Sequence, residues 1–163
     1  MDRRDLGSWL SGPSAALGPE VGDQVFRGEK LGLPSAGAGS VAGFGRRVVA
    51  LLVDWLLSLA LVTVFSGGTL GFVADPGNAT PSSIATLAVF FFQMSAFIAV
   101  AQASIGMRIV GIGVADMSGA RVGLLRAMMR TALLCLVIPA VIYDRDGRGL
   151  HDRAANTIVL RAR

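Results

Sequence analysis

The sequence has few charged residues and few of the side chains that build catalytic and metal sites. Charged residues make up 16% of the chain, whereas soluble domains usually carry about 25%. With one cysteine, Cys135, no intrachain disulfide can form, and with one histidine, His151, multi-histidine zinc and haem sites are excluded. His151 stands beside Asp152, but that is adjacency and no catalytic triad. We therefore expect no metal, no cofactor and no enzymatic activity.

Lysine is almost absent, so the basic character of the chain comes from arginine. Fourteen of the 15 basic residues are arginine, Lys30 is the exception, and the net charge is +4. Nucleic-acid binding needs basic residues clustered on one face. Here the arginines flank apolar runs, as the positive-inside rule predicts for the cytoplasmic edges of membrane spans. The expected partner is a lipid bilayer, and nucleic acid is not expected.

The first 43 residues contain no long apolar run and are rich in Gly, Ser, Pro and Ala. Such a composition cannot bury enough apolar surface to fold alone, so residues 1–43 are predicted to be a mostly disordered cytoplasmic tail. The first apolar run begins near Val48, too late and too long for a secretory signal peptide. The membrane domain is predicted to occupy residues 44–163.

The chain is 53% hydrophobic, and these residues are concentrated in segments long enough to cross a membrane. The first segment, residues 46–65, contains one acidic residue, Asp54, and the second, residues 84–104, contains no charge. About 20 apolar residues in a helix span a hydrocarbon core about 30 Å thick. The predicted fold is therefore an all-α membrane protein with two clear transmembrane helices.

A third apolar segment, residues 122–143, either spans the membrane or is re-entrant. Arg126 and Arg130 lie in its first third, and Pro139 interrupts its end. A full third span would place a C-terminal tail with five arginines outside, against the positive-inside rule. We favour a re-entrant or interfacial segment in a multi-pass protein of the cell membrane, of bacterial plasma-membrane type, with a cytoplasmic N-terminus.

Two short β-prone stretches lie outside the apolar segments, at residues 108–115 and 157–160. They can pair in the aqueous phase only if both lie on the same side of the membrane. In the second segment Ser95, Ala99 and Ala103 recur every four residues, a spacing that lets helices approach closely in lipid. That face either packs within the chain or forms a homodimer contact.

The charged residues in or beside the apolar segments are the candidate functional residues. Arg47 and Asp54 are seven positions apart and share one helix face. An ionised carboxylate costs about 2.5–3.5 kcal/mol at a membrane helix centre, so Asp54 needs a partner. Arg126 and Arg130, four apart on the third segment, are the expected partners. The pairing would form either a water-accessible pocket or a structural ion pair.

Three stretches resemble the signature of the RDD family of membrane proteins. Gly45–Trp55 is similar to the family's R-x-x-A-x-x-x-D opening, residues 106–111 to its G-x-R-x-x-G stretch, and residues 149–159 to its G-L-H-D closing motif. The order and spacing agree over about residues 41–161. One departure is Asn156, where glycine is common, but asparagine also tolerates left-handed turns.

The resemblance implies a multi-span protein of a family often described as transporters, some of whose members are connected with cation/proton antiport. The arginine and two aspartates of the family's name fall on Arg47, Asp54 and Asp152. The supporting charged residues are Arg108, Arg126, Arg130 and His151.

The expected function is transport of a small cation in exchange for protons, with Asp54 as the binding site. Arg47 and Asp152 would act as gating partners, with Asp152 pairing with Arg47 or Arg108. Two or three helices make a thin path, so transport implies a homo-oligomer. The alternative is a non-transporting accessory subunit or scaffold of a larger membrane complex.

Overall fold

The computed structural model describes residue 26 and residues 28–73, 76–136 and 148–162. Most of the predicted disordered tail and the predicted turn at Pro139 lie outside these residues. In chain order, the described elements are α1 (Phe44–Phe65), α2 (Ala79–Ala101), α3 (Ile105–Ile109), β1 (Ile112–Asp116), α4 (Leu124–Cys135), α5 (Leu150–Ala154) and β2 (Thr157–Arg161). Short 3-10 helices cover Glu29–Leu31, Gly71–Val73 and Pro76–Asn78. The fold is mostly helical, with a small two-stranded sheet.

Two helical stretches, Phe44–Phe65 and Pro76–Ala101, are long and apolar enough to cross a membrane. Only 22% and 28% of their most apolar windows are buried inside the protein. Large apolar side chains such as Leu52 and Phe92 are 56% and 65% exposed. A core helix of a soluble protein would bury these side chains, so the outward apolar surface suggests a membrane location.

The second candidate span begins earlier and ends sooner than the sequence predicted. Pro81 precedes the predicted start at residue 84, yet it lies in the first turn of α2, where proline is tolerated because that N–H has no helical partner. Helix α2 ends at Ala101 because Gln102 adopts a left-handed backbone conformation, with φ 56°. The predicted segment of residues 84–104 is therefore shifted towards the N-terminus in the structure.

The predicted strand at residues 108–115 is half wrong and half confirmed. Its first part belongs to α3, because the Ser104 side chain caps that helix by accepting the Met107 N–H at 3.1 Å. Strand β1 then pairs antiparallel with β2, as predicted, from Ile112 opposite Arg161 to Asp116 opposite Thr157.

The sheet is extended by residues that the sequence assigned to the tail. Val41 forms a bridge with Leu160, and the Ala42 N–H donates to the Val159 carbonyl at 2.9 Å. The chain before α1, the chain after α2 and the chain after α5 therefore meet in one small β structure.

Helix α2 packs against both α1 and α4, and its small-residue face lies inside the protein. Ser95 and Ala103 are buried, and Ala99 packs against the core that contains Ala103 and Ala127 of α4. The described structure therefore favours packing within the chain as the role of these small residues.

Helix α4 is the described part of the third apolar segment. Its 12 residues extend about 18 Å, well short of a bilayer core of about 30 Å. The helix has one buried face and one exposed face. Its buried residues include Ala127, Arg130 and Thr131, whereas Leu125 is 81% exposed. Residues 137–147, where the segment was predicted to continue, lie outside the described part.

The contact between α3 and α1 requires glycine at position 106. A Cβ atom added to Gly106 would overlap the Ala50 carbonyl of α1 and lie 2.9 Å from Asp54 Oδ2. Gly106→Ala should therefore lower the free energy of unfolding by about 1–3 kcal/mol or more, because neither backbone can yield easily. Thermal unfolding in detergent measures the change. Gly45→Ala, where an added Cβ meets open space, is the control, and equal melting temperatures for the two variants would contradict the packing argument.

Candidate functional site

Asp152 is the centre of a buried ion-pair cluster, here called the Asp152 cluster. Helix α5 presents its carboxylate to Arg47 from the start of α1, with Nη1 2.9 Å from Oδ2. Arg130 of α4 contacts the other oxygen, with Nε 2.7 Å from Oδ1. His151 Nε2 lies 3.4 Å from the same oxygen, and all four side chains are buried. Of the two alternatives predicted for Asp152, the pairing with Arg47 is the one that the structure contains.

The guanidinium of Arg47 also ties α1 to the sheet. Its Nε donates to the Ala42 carbonyl at 3.2 Å, and its Nη2 donates to the Val159 carbonyl at 3.4 Å. The Thr157 hydroxyl donates to the Asp152 carbonyl at 3.3 Å. The Asp152 carboxylate, bound by Arg47 and Arg130, thus connects α5 to α1 and α4, and the Arg47 guanidinium connects them to β2.

The charges around Asp152 favour its ionised form. Burial by itself raises the pKa of this carboxyl, but the positive charges of Arg130, His151 and Arg47 outweigh that effect, so its pKa lies below the ordinary range. A carboxylate fixed by two guanidinium groups has little freedom to exchange protons near neutral pH. The Asp152 cluster is therefore arranged as a structural tie.

Asp54 has different surroundings, here called the Asp54 cradle. Its carboxylate is fully buried and accepts hydrogen bonds from the Ser104 hydroxyl and, at 2.8 Å, from the Gly106 N–H. The Ser58 hydroxyl donates to the Asp54 main-chain carbonyl at 2.8 Å. No arginine or lysine of the described part forms an ion pair with Asp54.

The predicted pairing of Asp54 with Arg126 or Arg130 is therefore wrong. Arg130 is used by Asp152, and Arg126 contacts Asp116 at the end of β1. The physical reason is that α3 packs against the face of α1 that carries Asp54. The hydrogen-bond donors next to the carboxylate are therefore the neutral groups of α3 and its N-cap. The sequence placed Ser104 at the end of the second apolar segment and Gly106 just after it, so it did not reveal this contact.

The Ser104 hydroxyl can form a hydrogen bond with either protonation state of Asp54. A hydroxyl has one proton to donate and two lone pairs to accept with. Here it donates to Asp54 and accepts the Met107 N–H. When Asp54 is protonated, the remaining lone pair of Ser104 can accept the carboxyl proton, and the Ser104 proton then turns away from Asp54. Among the described residues, the Asp54 cradle therefore holds the carboxyl through neutral groups.

A third carboxylate, Asp116, lies at the surface end of the sheet and was not among the predicted site residues. It accepts hydrogen bonds from the Ser118 N–H and hydroxyl at 2.8 and 2.7 Å. These bonds, together with the Arg126 charge, hold its pKa below the ordinary range. The only available sequence signal is Asp-x-Ser, which is typical of a turn. The Arg126 side chain is 48% exposed and the Asp116 side chain is buried, so solvent reaches this pair from the arginine side.

The structure separates the predicted site residues into four groups, one of which is Arg126 with Asp116. Arg47, Arg130, His151 and Asp152 come together in the Asp152 cluster. Asp54 stands apart in its cradle. Arg108 is exposed, and its Nη2 contacts the Ala101 carbonyl at the end of α2 at 3.4 Å. The cradle residues Ser104 and Gly106 were missed as ligands of Asp54, although Gly106 lies in one of the quoted motifs.

Comparison with protein-family models identifies the RDD family, whose model matches residues 41–156. The matched range contains Arg47, Asp54 and Asp152, and it contains the whole Asp54 cradle. Neither the comparison with curated proteins nor the comparison with solved structures gives a match.

Neutralising Asp152 should destabilise the protein strongly. Asp152→Asn leaves two buried guanidinium groups without their counter-charge, and breaking a buried pair in this way costs about 3–5 kcal/mol. Chemical or thermal unfolding in detergent measures the loss. Asp116→Asn, which removes the partner of a solvated arginine, is the matched control and should cost clearly less. A smaller loss for the Asp152 variant than for the control would refute the structural role.

The contribution of Asp152 should disappear in acid. Its pKa is lowered in the folded protein, so its stabilisation is complete above the unfolded value of about 3.9 and is lost as pH falls through the folded pKa. Unfolding midpoints measured from about pH 7 to about pH 2 should show this loss, mostly below about pH 4, in the native protein and in Asp116→Asn. The acid loss should be reduced in Asp152→Asn, and an unchanged acid profile would argue against the assignment.

Proposed function

Since this chain belongs to the RDD family, we propose that it is a membrane protein of transport type that exchanges protons for small cations at Asp54. The observation that carries the proposal is the Asp54 cradle. A fully buried carboxylate within an apolar helix has only neutral hydrogen-bond donors among the described residues. Ionisable groups within membrane helices are costly and are functional by default.

In the proposed topology, α1 and α2 cross the cell membrane and both ends of the domain lie in the cytoplasm. The shared sheet supports this topology, because it joins the chain before α1 to the chain after α2 and after α5. Arg46, Arg108 and Arg121 are exposed near that same end, as expected for a cytoplasmic face. The chain enters α4 from the cytoplasmic side and returns to the same side after it, so this segment would not cross the membrane a single time. Helix α4 would then be re-entrant or interfacial.

The cradle also has the chemistry that a small cation requires. Hard cations prefer oxygen ligands, and Asp54 lies beside the Ser104 hydroxyl, with the Ala50 carbonyl just across Gly106. A proton on Asp54 removes the negative charge that would hold the cation. Proton and cation would therefore compete for one carboxylate, which is the basis of exchange.

The Asp152 cluster would serve this function as a rigid frame around a movable α3. It ties α1 to α4, α5 and the sheet through charge-assisted bonds, whereas α3 is a five-residue helix that contacts α1 at Gly106. Displacing α3 would expose Asp54 towards the cytoplasm. Arg47 and Asp152 would thus position the gate without moving themselves.

Two spans do not enclose a path across a bilayer, so the proposed transport requires several copies of the chain. The outward side chains of α1 and α2 are large and apolar, which suits contacts with lipid and with neighbouring copies. The alternative function, an accessory subunit or scaffold of a larger complex, would use the same surfaces without any proton exchange.

Asp54→Asn should abolish exchange while leaving the fold intact. Asparagine keeps the shape and accepts the Gly106 N–H through its carbonyl oxygen, but it cannot carry a proton. The native protein, reconstituted in liposomes with an internal pH dye, should show proton flux when Na⁺, K⁺ or Li⁺ is added outside. The variant should reduce that flux to the background of empty liposomes.

Asp116→Asn is the control for the flux experiment, because it removes a carboxylate that lies outside both candidate spans, at the end of β1. It should retain the flux. Melting temperatures of all three proteins establish that they are folded. Folded, correctly oriented native protein without flux would reject exchange in favour of the accessory-subunit function, which co-purification of a partner complex would then test.

A further inference from the structure

A groove with a volume of about 490 Å³ lies where α2 ends and the sheet begins. Its wall includes Gln102, Arg108, Gly111, Ile112, Gly113 and Ala162. Ala101 and Ala103 complete the wall, so five of its eight residues are glycine or alanine and the wall is formed largely by backbone. The groove is separate from the Asp54 cradle and from the Asp152 cluster, and the proposed exchange does not use it.

Arg108 brings positive charge to the groove. It lines the groove and is exposed, with a single long contact to the Ala101 carbonyl at 3.4 Å. Arg161 does not line the groove, because it pairs with Ile112 while its neighbour Ala162 is the lining residue, and neighbouring strand residues point to opposite faces of a sheet.

Little negative charge remains around the groove to repel an anion. No aspartate or glutamate is among the residues that line the groove. The last carbonyls of α2 carry partial negative charge, but the Gln102 amide donates to the Ile98 and Ala99 carbonyls at 3.1 and 3.3 Å. Arg108 reaches the Ala101 carbonyl. The groove therefore offers donors with a net positive field.

The position of the groove indicates the source of the anion. It lies at the end of α2 that carries Phe97 and Val100, and Val100 is 78% exposed on the outer apolar surface. A ligand with an anionic head in the groove and acyl chains along α2 would satisfy both surfaces. Free phosphate would satisfy only the first.

We propose that this groove binds the phosphate headgroup of an anionic membrane lipid, with Arg108 as its charged ligand. The proposal rests on the membrane placement of α2 in the proposed function and is independent of ion exchange at Asp54. Arginine suits the role because its planar fork matches two phosphate oxygens at once.

Native mass spectrometry of the full chain in detergent, titrated with phosphatidylglycerol and with phosphatidylcholine, tests the proposal. The native protein should retain phosphatidylglycerol in preference to the neutral lipid. Arg108→Gln should weaken that retention about tenfold, the usual effect of losing a hydrogen bond to a charged group. Arg121→Gln, which removes an exposed arginine that does not line the groove, is the matched control and should leave it unchanged.

A second variant blocks the space without removing charge. Ala162→Trp fills the groove from an exposed position, so it should abolish the lipid preference while the melting temperature stays near that of the native protein. Retained preference in both Arg108→Gln and Ala162→Trp would overturn the proposal. An equal loss in Arg121→Gln would also overturn it, because it would indicate general attraction to a basic face.

The source of the phosphate is tested with soluble competitors. Glycerol 3-phosphate and inorganic phosphate, added to the lipid-bound protein, should displace phosphatidylglycerol only weakly because they lack acyl chains. Displacement at concentrations equal to that of the lipid would reject the lipid assignment in favour of a free phosphate ligand. None of these measurements depends on ion flux, so a failure of the exchange proposal would leave their outcome interpretable.

Discussion

The carboxylate of Asp152 neutralises two guanidinium groups that are themselves buried, and the arrangement of the domain depends on this contact. Arg47 brings the start of α1, Arg130 brings α4, and Asp152 lies on the short helix that leads into β2. In a medium that solvates charge poorly, none of the three side chains can be buried alone. The pairing therefore selects one arrangement of three helices, α1, α4 and α5, that are separated in the chain.

With that frame in place, the remaining polar groups are satisfied by local chemistry. Asp54 lies two helical turns beyond Arg47 on the same helix, yet it is bound by a capping serine and a backbone amide. The difference between the two aspartates follows from their partners. Asp152 is held by fixed positive charge, whereas Asp54 is held by neutral groups of which one, Ser104, can reverse its hydrogen bond. The Asp152 carboxylate therefore suits a permanent ion pair, whereas the Asp54 carboxylate suits a change in what it binds.

The sequence predicted the long apolar helices better than the contacts between them. Apolar length is a local property, so segments near α1 and α2 could be found without any tertiary information. The errors occurred where a local signal had two meanings. Pro81 is compatible with a loop and with a first helical turn, and Ser104 is compatible with the end of one helix and with the cap of the next.

The sequence by itself determined that the chain has two long apolar helices, that its charges are few, and that Arg47, Asp54 and Asp152 are the charges to explain. These conclusions follow from composition, period and motif order. Only the tertiary structure decided that Arg130 belongs to Asp152, that Asp54 has no ionic partner among the described residues, and that residues 39–42 join the sheet. Pairing of distant charges depends on which helix faces meet, and that is set by packing across more than 100 residues of chain.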